Sequence, residues 1–238
     1  MSKSTSETRI RRGDFNPSII HPLYLIRTAL LRGISSKADL LDGKMMDFGC
    51  GSKPYKALFK NVSAYIGVDY NGEGHSHAGE EIDVFYDGHH LPFTDGEFDS
   101  IFSSEVMEHI FNLEEILDEL NRVLKPGGKM LITLPFAWHE HEMPNDFGRY
   151  TSLGLTALLE RHGFRVISLE KTTGFVETLF QLWGLYWYMH IIPKIRIIGR
   201  VFAPTFHFVN NNLARLFRKI MPVKNDYFLN LVVVVEKA

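Results

Sequence analysis

The chain has 238 residues, 45% of them hydrophobic, and a formal net charge of −2 at pH 7. That composition can build one large domain with an elaboration, and it excludes a globally disordered chain. A near-neutral charge argues against bulk nucleic-acid binding, so no nucleic-acid partner is expected. The single cysteine, Cys50, excludes an intramolecular disulfide and a cysteine-based zinc cluster and fits a reducing, cytoplasmic setting.

Residues 1–18 are polar and basic with no apolar run. They are expected to form a flexible tail and do not read as a secretory signal. "IIHPLYLIRTALLRGI" (19–34) carries apolar residues at helical spacing and ends in basic residues and Gly33, which predicts a helix. From there "KMMDF" (44–48), "AYIGVDY" (64–70), "EIDVFYD" (81–87), "FDSIFSS" (98–104) and "KMLITLPF" (129–136) are short apolar runs bounded by turn residues. "KPYKALFKN" between the first two is a short helix candidate. "NLEEILDELNRVLKPGG" aligns Leu113, Ile116, Leu117, Leu120 and Leu124 on one face and is expected to stop at Pro126-Gly127-Gly128. "LGLTALLERHGF" (153–164) predicts another helix, followed by a strand in "RVISLEK" (165–171) and a fully buried one in "YFLNLVVVVEKA". This alternation predicts an α/β fold: a doubly wound, mostly parallel, Rossmann-like sheet. The expected division is a core over 19–174, a helical insertion over 175–225 and a final core strand over 226–238.

The glycines in "MMDFGCG" fall at the end of the first strand, where a ligand can press against bare backbone. The dinucleotide spacing G-x-G-x-x-G is not met, because Pro54 stands in the third glycine's place. That counts against a nicotinamide oxidoreductase. Asp47, Asp69 and Asp87 close three successive strands. Three carboxylates would repel a phosphate ligand but suit a nucleoside carrying a sulfonium and an ammonium.

On "DFGCG" (47–51), "YIGVDY" (65–70), "DGHHLPFTDGEFDSIFSSEVMEHI" (87–110) and "LKPGGKMLITLP" (124–135), the chain resembles class I S-adenosylmethionine-dependent methyltransferases. The resemblance implies a seven-stranded sheet with an antiparallel last strand, and S-adenosylmethionine as cofactor. It implies that Asp47, Gly49, Cys50 and Gly51 hold the methionine end. Asp69, with Tyr70 beside it, would hold the ribose. Asp87, Gly88 and His89 would flank the adenine, and Ser104 and Glu105 would face both cofactor and substrate. Lys53 departs from the pattern, since many members have a glycine there. "GSKPYKALF" and "HEHEMPNDFGRYTSLGLTALLERHGF" resemble bacterial methyltransferases of surface-glycan and lipopolysaccharide biosynthesis, which implies a small-molecule or glycan acceptor.

Methyl transfer from a sulfonium is an in-line displacement, and a hydroxyl nucleophile benefits from a nearby base. The loop "PFAWHEHEMPNDFGRYT" offers His139 and His141, favoured as base over Glu142. Arg149 could fork onto a substrate phosphate or carboxylate, or pair with Asp146 to close the loop. Tyr150 could stack on a ring, and His109 could touch the substrate. No metal is expected, because His139 and His141 lie two apart with no third ligand evident.

The insertion carries seven basic residues, Lys194, Arg196, Arg200, Arg215, Arg218, Lys219 and Lys224, against one acid, Glu177. It reads as a lid, a homodimer interface, a surface resting on the inner face of an anionic membrane, or a locally enlarged core. Its apolar stretch is too short and too interrupted to span a bilayer. Two further readings stay open: a lipid or quinone acceptor, and a non-catalytic binding member of the fold.

Overall fold

A computed structural model describes residues 13, 15–72, 80–222 and 224–238, with the side chains of 195–198 and 200 left aside. Most of the expected flexible tail, residues 1–12 and 14, lies outside the described residues. Phe15 does pack: its ring meets Tyr55 edge-on at 5.5 Å and carries the Arg27 guanidinium at 4.6 Å.

Seven strands form one sheet in the order β3-β2-β1-β4-β5-β7-β6. They are β1 (Gly43–Phe48), β2 (Val62–Tyr70), β3 (Val84–Tyr86), β4 (Phe98–Ser104), β5 (Leu124–Pro135), β6 (Phe164–Lys171) and β7 (Asn230–Lys237). β7 runs antiparallel between β5 and β6, while the pairs among β1 to β5 are parallel. The chain starts at the centre, winds outward through β2 and β3, then returns to β4 on the other side of β1. Strand order reverses between β1 and β4, which is where ligands bind in open α/β sheets.

Alternation along the strands builds two cores. Met46, Val233 and Val235 point to the side covered by α2 (Leu113–Val123) and α3 (Ser152–Arg161), where Leu117, Leu120 and Leu155 pack. Met45, Val232 and Val234 point to the other side, against Ile34, Leu41 and Tyr55. Leu231 to Val235 are all fully buried, as the unbroken apolar run predicts. Each such side chain contributes about 1.5–3 kcal/mol by leaving water.

Several elements differ in extent from the sequence reading. The first helix, α1 (Tyr24–Ser35), starts after Pro22 rather than at Ile19, since the residue before a proline avoids the helical region. "KPYKALFKN" forms only the turn Lys56–Leu58. β3 covers three residues of the expected seven. α2 ends at Val123, because Leu124 is already extended and pairs with Phe98 as the first residue of β5. Pro126 to Gly128 then form an irregularity inside the ladder rather than a helix stop.

The insertion is helical. α4 (Phe175–Tyr186) runs through a π turn, Trp187–Ile191, and a short 3-10 turn into α5 (Arg196–Ile220). Buried amides fasten this pair to the segment around α1. Gln181 accepts from the Ile26 N–H at 3.1 Å and donates to the Pro22 carbonyl at 2.9 Å. Asn211 donates to the Ile19 carbonyl at 2.7 Å. None of the described helices is long and apolar enough to cross a membrane.

Candidate active site

β1 delivers Asp47 to the carboxyl edge of the sheet and stops at two glycines in the left-handed region, Gly49 (φ 71°) and Gly51 (φ 44°). The Gly49 and Cys50 N–H groups both donate to the Val68 carbonyl, at 2.8 and 3.1 Å, so the chain folds back over β2. A Cβ on Gly49 would sit 2.3 Å from a Val106 methyl. A Cβ on Gly51 would meet only Glu80 at 3.5 Å and otherwise enter open space. Cys50 is buried, and burial together with the Asp47 charge pushes its thiol up to about 12. It is therefore not a nucleophile.

Asp47 is 3% exposed. Burial raises its carboxyl to about 7, against the hydrogen bond that the Tyr65 hydroxyl donates to it. Tyr65 lies on the neighbouring strand and is a contributor that the sequence reading missed. Asp69 accepts from the Gly51 N–H at 2.8 Å and, on its other oxygen, from the Tyr70 N–H at 2.8 Å. Asp87 accepts from the His89 and His90 N–H groups at 2.9 and 2.7 Å, which hold its carboxyl below the ordinary range. Tyr70 stands 5.9 Å from Tyr86, its ring edge against Gly88. His89 reaches Glu115 at 3.1 Å.

At the end of β4, the Ser104 hydroxyl is 2.9 Å from the Thr133 hydroxyl, which donates to Glu105 at 2.7 Å. Asn230 donates to the other Glu105 oxygen at 2.6 Å. Glu105 takes a left-handed backbone (φ 57°), and burial raises its carboxyl to about 7.

The loop after β5 is held by one ion pair. Arg149 grips both oxygens of Asp146, at 2.6 and 2.7 Å, and also donates to the His139 and Gly148 carbonyls. Its fork is thus spent on closing the loop, the alternative to substrate binding that its position left open. Asp146 in turn accepts from the His141 backbone N–H at 2.9 Å and faces its Nδ1 at 3.2 Å. The rings of His139 and His141 stack 6.0 Å apart, and His109 meets His141 at 4.8 Å. Burial and the neighbouring His141 and Arg149 lower the pKa of His139. Tyr150 packs against the main core instead of an open surface. Glu142 sits at φ 53° with a carboxylate oxygen 3.6 Å from His109 Nε2.

A second residue missed from sequence is Glu108. It is fully buried, and both its oxygens lack a hydrogen-bond partner. Ligand atoms of Glu108, His109 and His141 lie within 4.8 Å of one another. Nothing in the local sequence announces this burial, which comes from the 146–149 loop donating its Phe147 and Gly148 N–H groups to the Glu108 carbonyl.

These parts open on one cavity of about 530 Å³. Asp47, Gly49, Cys50 and Gly51 line one side, Ser104 and Glu105 the floor, and His139, His141 and Glu142 the far side. Leu23, α1 and the insertion supply a mostly apolar wall of Leu23, Ile26, Leu30, Leu185, Tyr188 and Met189, broken by the cation of Arg27, with Trp138 beside it. Among the described residues, Asp69, Tyr70, Asp87, Gly88, His89, His109, Arg149 and Tyr150 do not line it.

Residues 46–132 match the methyltransferase domain family. Over 114 residues the chain is 32% identical to a fatty-acid O-methyltransferase of Mycolicibacterium smegmatis, covering 44% of this chain and 41% of that one. Over 130 residues it is 31% identical to the methyltransferase GfsG of Streptomyces halstedii, covering 49% and 47%. The chain thus spans about half the length of the curated relatives it matches. An S-adenosylmethionine-dependent methyltransferase of Mesorhizobium loti has the same fold at 14% identity, with a TM-score of 0.51 over 91% of this chain and 98% of that one. The chain shares with that structure a Rossmann-like fold, a seven-stranded sheet with an antiparallel last strand.

Proposed function

We propose that this protein is an S-adenosylmethionine-dependent O-methyltransferase whose acceptor presents an oxygen nucleophile on a largely apolar body. The observation that carries the proposal is the single cavity that joins the glycine turn and Asp47 to the histidine loop and the apolar wall. The cavity suits the cofactor. Gly51 offers bare backbone where a Cβ would intrude, and Asp47 and Glu105 place two carboxylates beside it for an ammonium and a sulfonium. S-adenosylmethionine supplies an electrophilic methyl group on a positively charged sulfur.

In this reading Asp47, Gly49, Cys50 and Gly51 hold the methionine end. Each Asp69 oxygen has a lone pair beyond its backbone bond for the ribose hydroxyls, and Asp87, Gly88 and His89 flank the adenine. Ser104 and Glu105 lie between cofactor and acceptor. His139, on the far wall, takes the acceptor's proton, while Asp146 and Arg149 keep its loop in place. α4 serves as a lid that keeps water from the reacting atoms.

The sugar or glycan acceptor implied by the finer resemblance is the competing reading. One relative named above acts on a fatty acid by its name, and the apolar wall favours that class, as does the lipid or quinone alternative. Exposed Leu179, Trp183, Leu216 and Ile220 beside Arg215 and Lys219 would suit peripheral contact with an anionic bilayer. Flotation with anionic vesicles tests that contact, and absence from the lipid fraction would remove it.

The decisive experiment is calorimetry with S-adenosylhomocysteine and with NAD, followed by a methyl-acceptance screen. The expected result is micromolar binding of the first, none of the second, and label transfer to fatty acids or quinols rather than to nucleotide sugars or lipid-linked oligosaccharides. His139→Ala should lower turnover and leave cofactor affinity intact. Binding of NAD alone would overturn the cofactor, and transfer to sugars alone would overturn the acceptor.

A further inference from the structure

We propose that Glu108, His109 and His141 form a binding site for one divalent metal ion, with Glu142 closing it. Glu108 is completely buried, yet neither carboxylate oxygen has a hydrogen-bond partner. A side chain in that condition is normally paired or bound to a metal. One oxygen lies 3.7 Å from His109 Nε2, and the ligand atoms of the three residues all lie within 4.8 Å of one another. Ligands bound to one ion at roughly 2.0–2.2 Å stand at most about 4.4 Å apart, so the three side chains need to close in by only a few tenths of an ångström to share an ion.

The surroundings of the two imidazoles have the form that metal sites require. His109 Nδ1 faces the Asn145 carbonyl at 2.5 Å, and a carbonyl can only accept, so the proton sits on Nδ1 and Nε2 carries the lone pair. His141 Nδ1 has the Asp146 carboxylate at 3.2 Å and the Arg149 guanidinium at 3.4 Å; Arg149 already donates to Asp146, and the nearer carboxylate takes the Nδ1 proton, which leaves Nε2 for a ligand. Asp146 is itself clamped by Arg149. A ring nitrogen fixed by a carbonyl or a carboxylate is what orients a metal-ligating histidine and raises its basicity. Glu142 reaches to 3.6 Å from His109 Nε2 and supplies a second carboxylate from the loop.

Two imidazoles with one or two carboxylates favour a borderline ion such as Mn²⁺ or Zn²⁺ over Mg²⁺, which keeps to oxygen. His141 and Glu142 line the cavity, so the ion would lie at its wall, within reach of an acceptor oxygen. That last role rests on the methyltransferase reading. The metal site itself does not.

The test strips the full-length protein with a chelator, re-equilibrates it with Mn²⁺ or Zn²⁺, and measures retained metal, with pulsed electron paramagnetic resonance on the Mn²⁺ form. The expected result is one tightly held ion with nitrogen couplings from histidine. Glu108→Gln and His141→Ala, checked for folding by circular dichroism, should each weaken binding by roughly 100-fold or more. Failure of the unsubstituted protein to retain either ion, or bound Mn²⁺ without nitrogen couplings, overturns the site. So does retention unchanged in both folded variants. S-adenosylhomocysteine calorimetry on the same stripped protein separates the two readings: cofactor binding without metal binding sinks the metal site alone, and the converse sinks the cofactor assignment alone.

Discussion

Replacing Gly49 with alanine tests how tightly the turn after β1 is built. The backbone there is left-handed at φ 71°, which costs a residue bearing a Cβ about 1–2 kcal/mol. The new methyl would also lie 2.3 and 2.6 Å from the two Val106 methyls, where about 3.5–4.0 Å is comfortable. Overpacking of this kind costs about 1–3 kcal/mol. Gly49→Ala should therefore destabilise the protein by about 2–5 kcal/mol and misplace the backbone that faces the cofactor. Val106→Ala removes both offending methyls, so the double variant should recover the packing part and keep the backbone part. Urea unfolding of the four proteins reads this as a coupling of about 1–3 kcal/mol between the two sites. Calorimetry should show cofactor affinity partly restored in the double variant. A Gly49→Ala protein as stable as the parent, or a coupling near zero, would refute the reasoning.

Asp69→Ala should weaken S-adenosylhomocysteine binding by roughly 10- to 100-fold, through loss of a charged acceptor worth about 1.5–3 kcal/mol, and calorimetry checks it. Asp47, with a carboxyl near 7, should make cofactor affinity rise between about pH 6 and 8 as the carboxylate forms, and Asp47→Asn should flatten that profile. The same raised value has a stability consequence of the opposite slope. The unfolded chain ionises more readily, so the free protein should lose stability as pH rises from 3.8 toward 7, and added cofactor should offset the loss. His207 is 1% exposed between α4 and α5, with both ring nitrogens unpartnered, and burial lowers it to about 4. Its contribution to stability is intact above the unfolded value of about 6.5 and is lost as pH falls toward 4, a total of about 3 kcal/mol. Thermal unfolding across that range should show the loss, and His207→Leu should remove it.

Much of this arrangement is legible in the residues themselves. Strands buried on both faces read as apolar runs, so the parallel β1 and β4 and the antiparallel β7 stand out in the sequence, and the half-buried edge strand β6 shows by alternation instead. The acids and glycines at their ends are local features that follow from strand order. What could not be read depends on distant contacts. The apolar wall exists because Gln181 reaches across 155 positions to the backbone of α1, and no short window contains that bond. Glu108 looks like a surface acid in "EVMEH" and becomes buried only when Phe147 and Gly148 dock onto it. The extension of β5 back to Leu124 was hidden because Pro126-Gly127-Gly128 reads as a break, while the ladder tolerates it as an irregularity.

The wedging of β7 between β5 and β6 sets an order on assembly. Phe164–Lys171 leaves the ribosome well before Asn230–Lys237, yet among the described residues its only ladder partner is that later strand. Until β7 slots in, β5 and β6 each expose an unpaired edge, a template for association with other chains. α4 and α5 are synthesised during this interval, so both edges stay open until the whole insertion has been made.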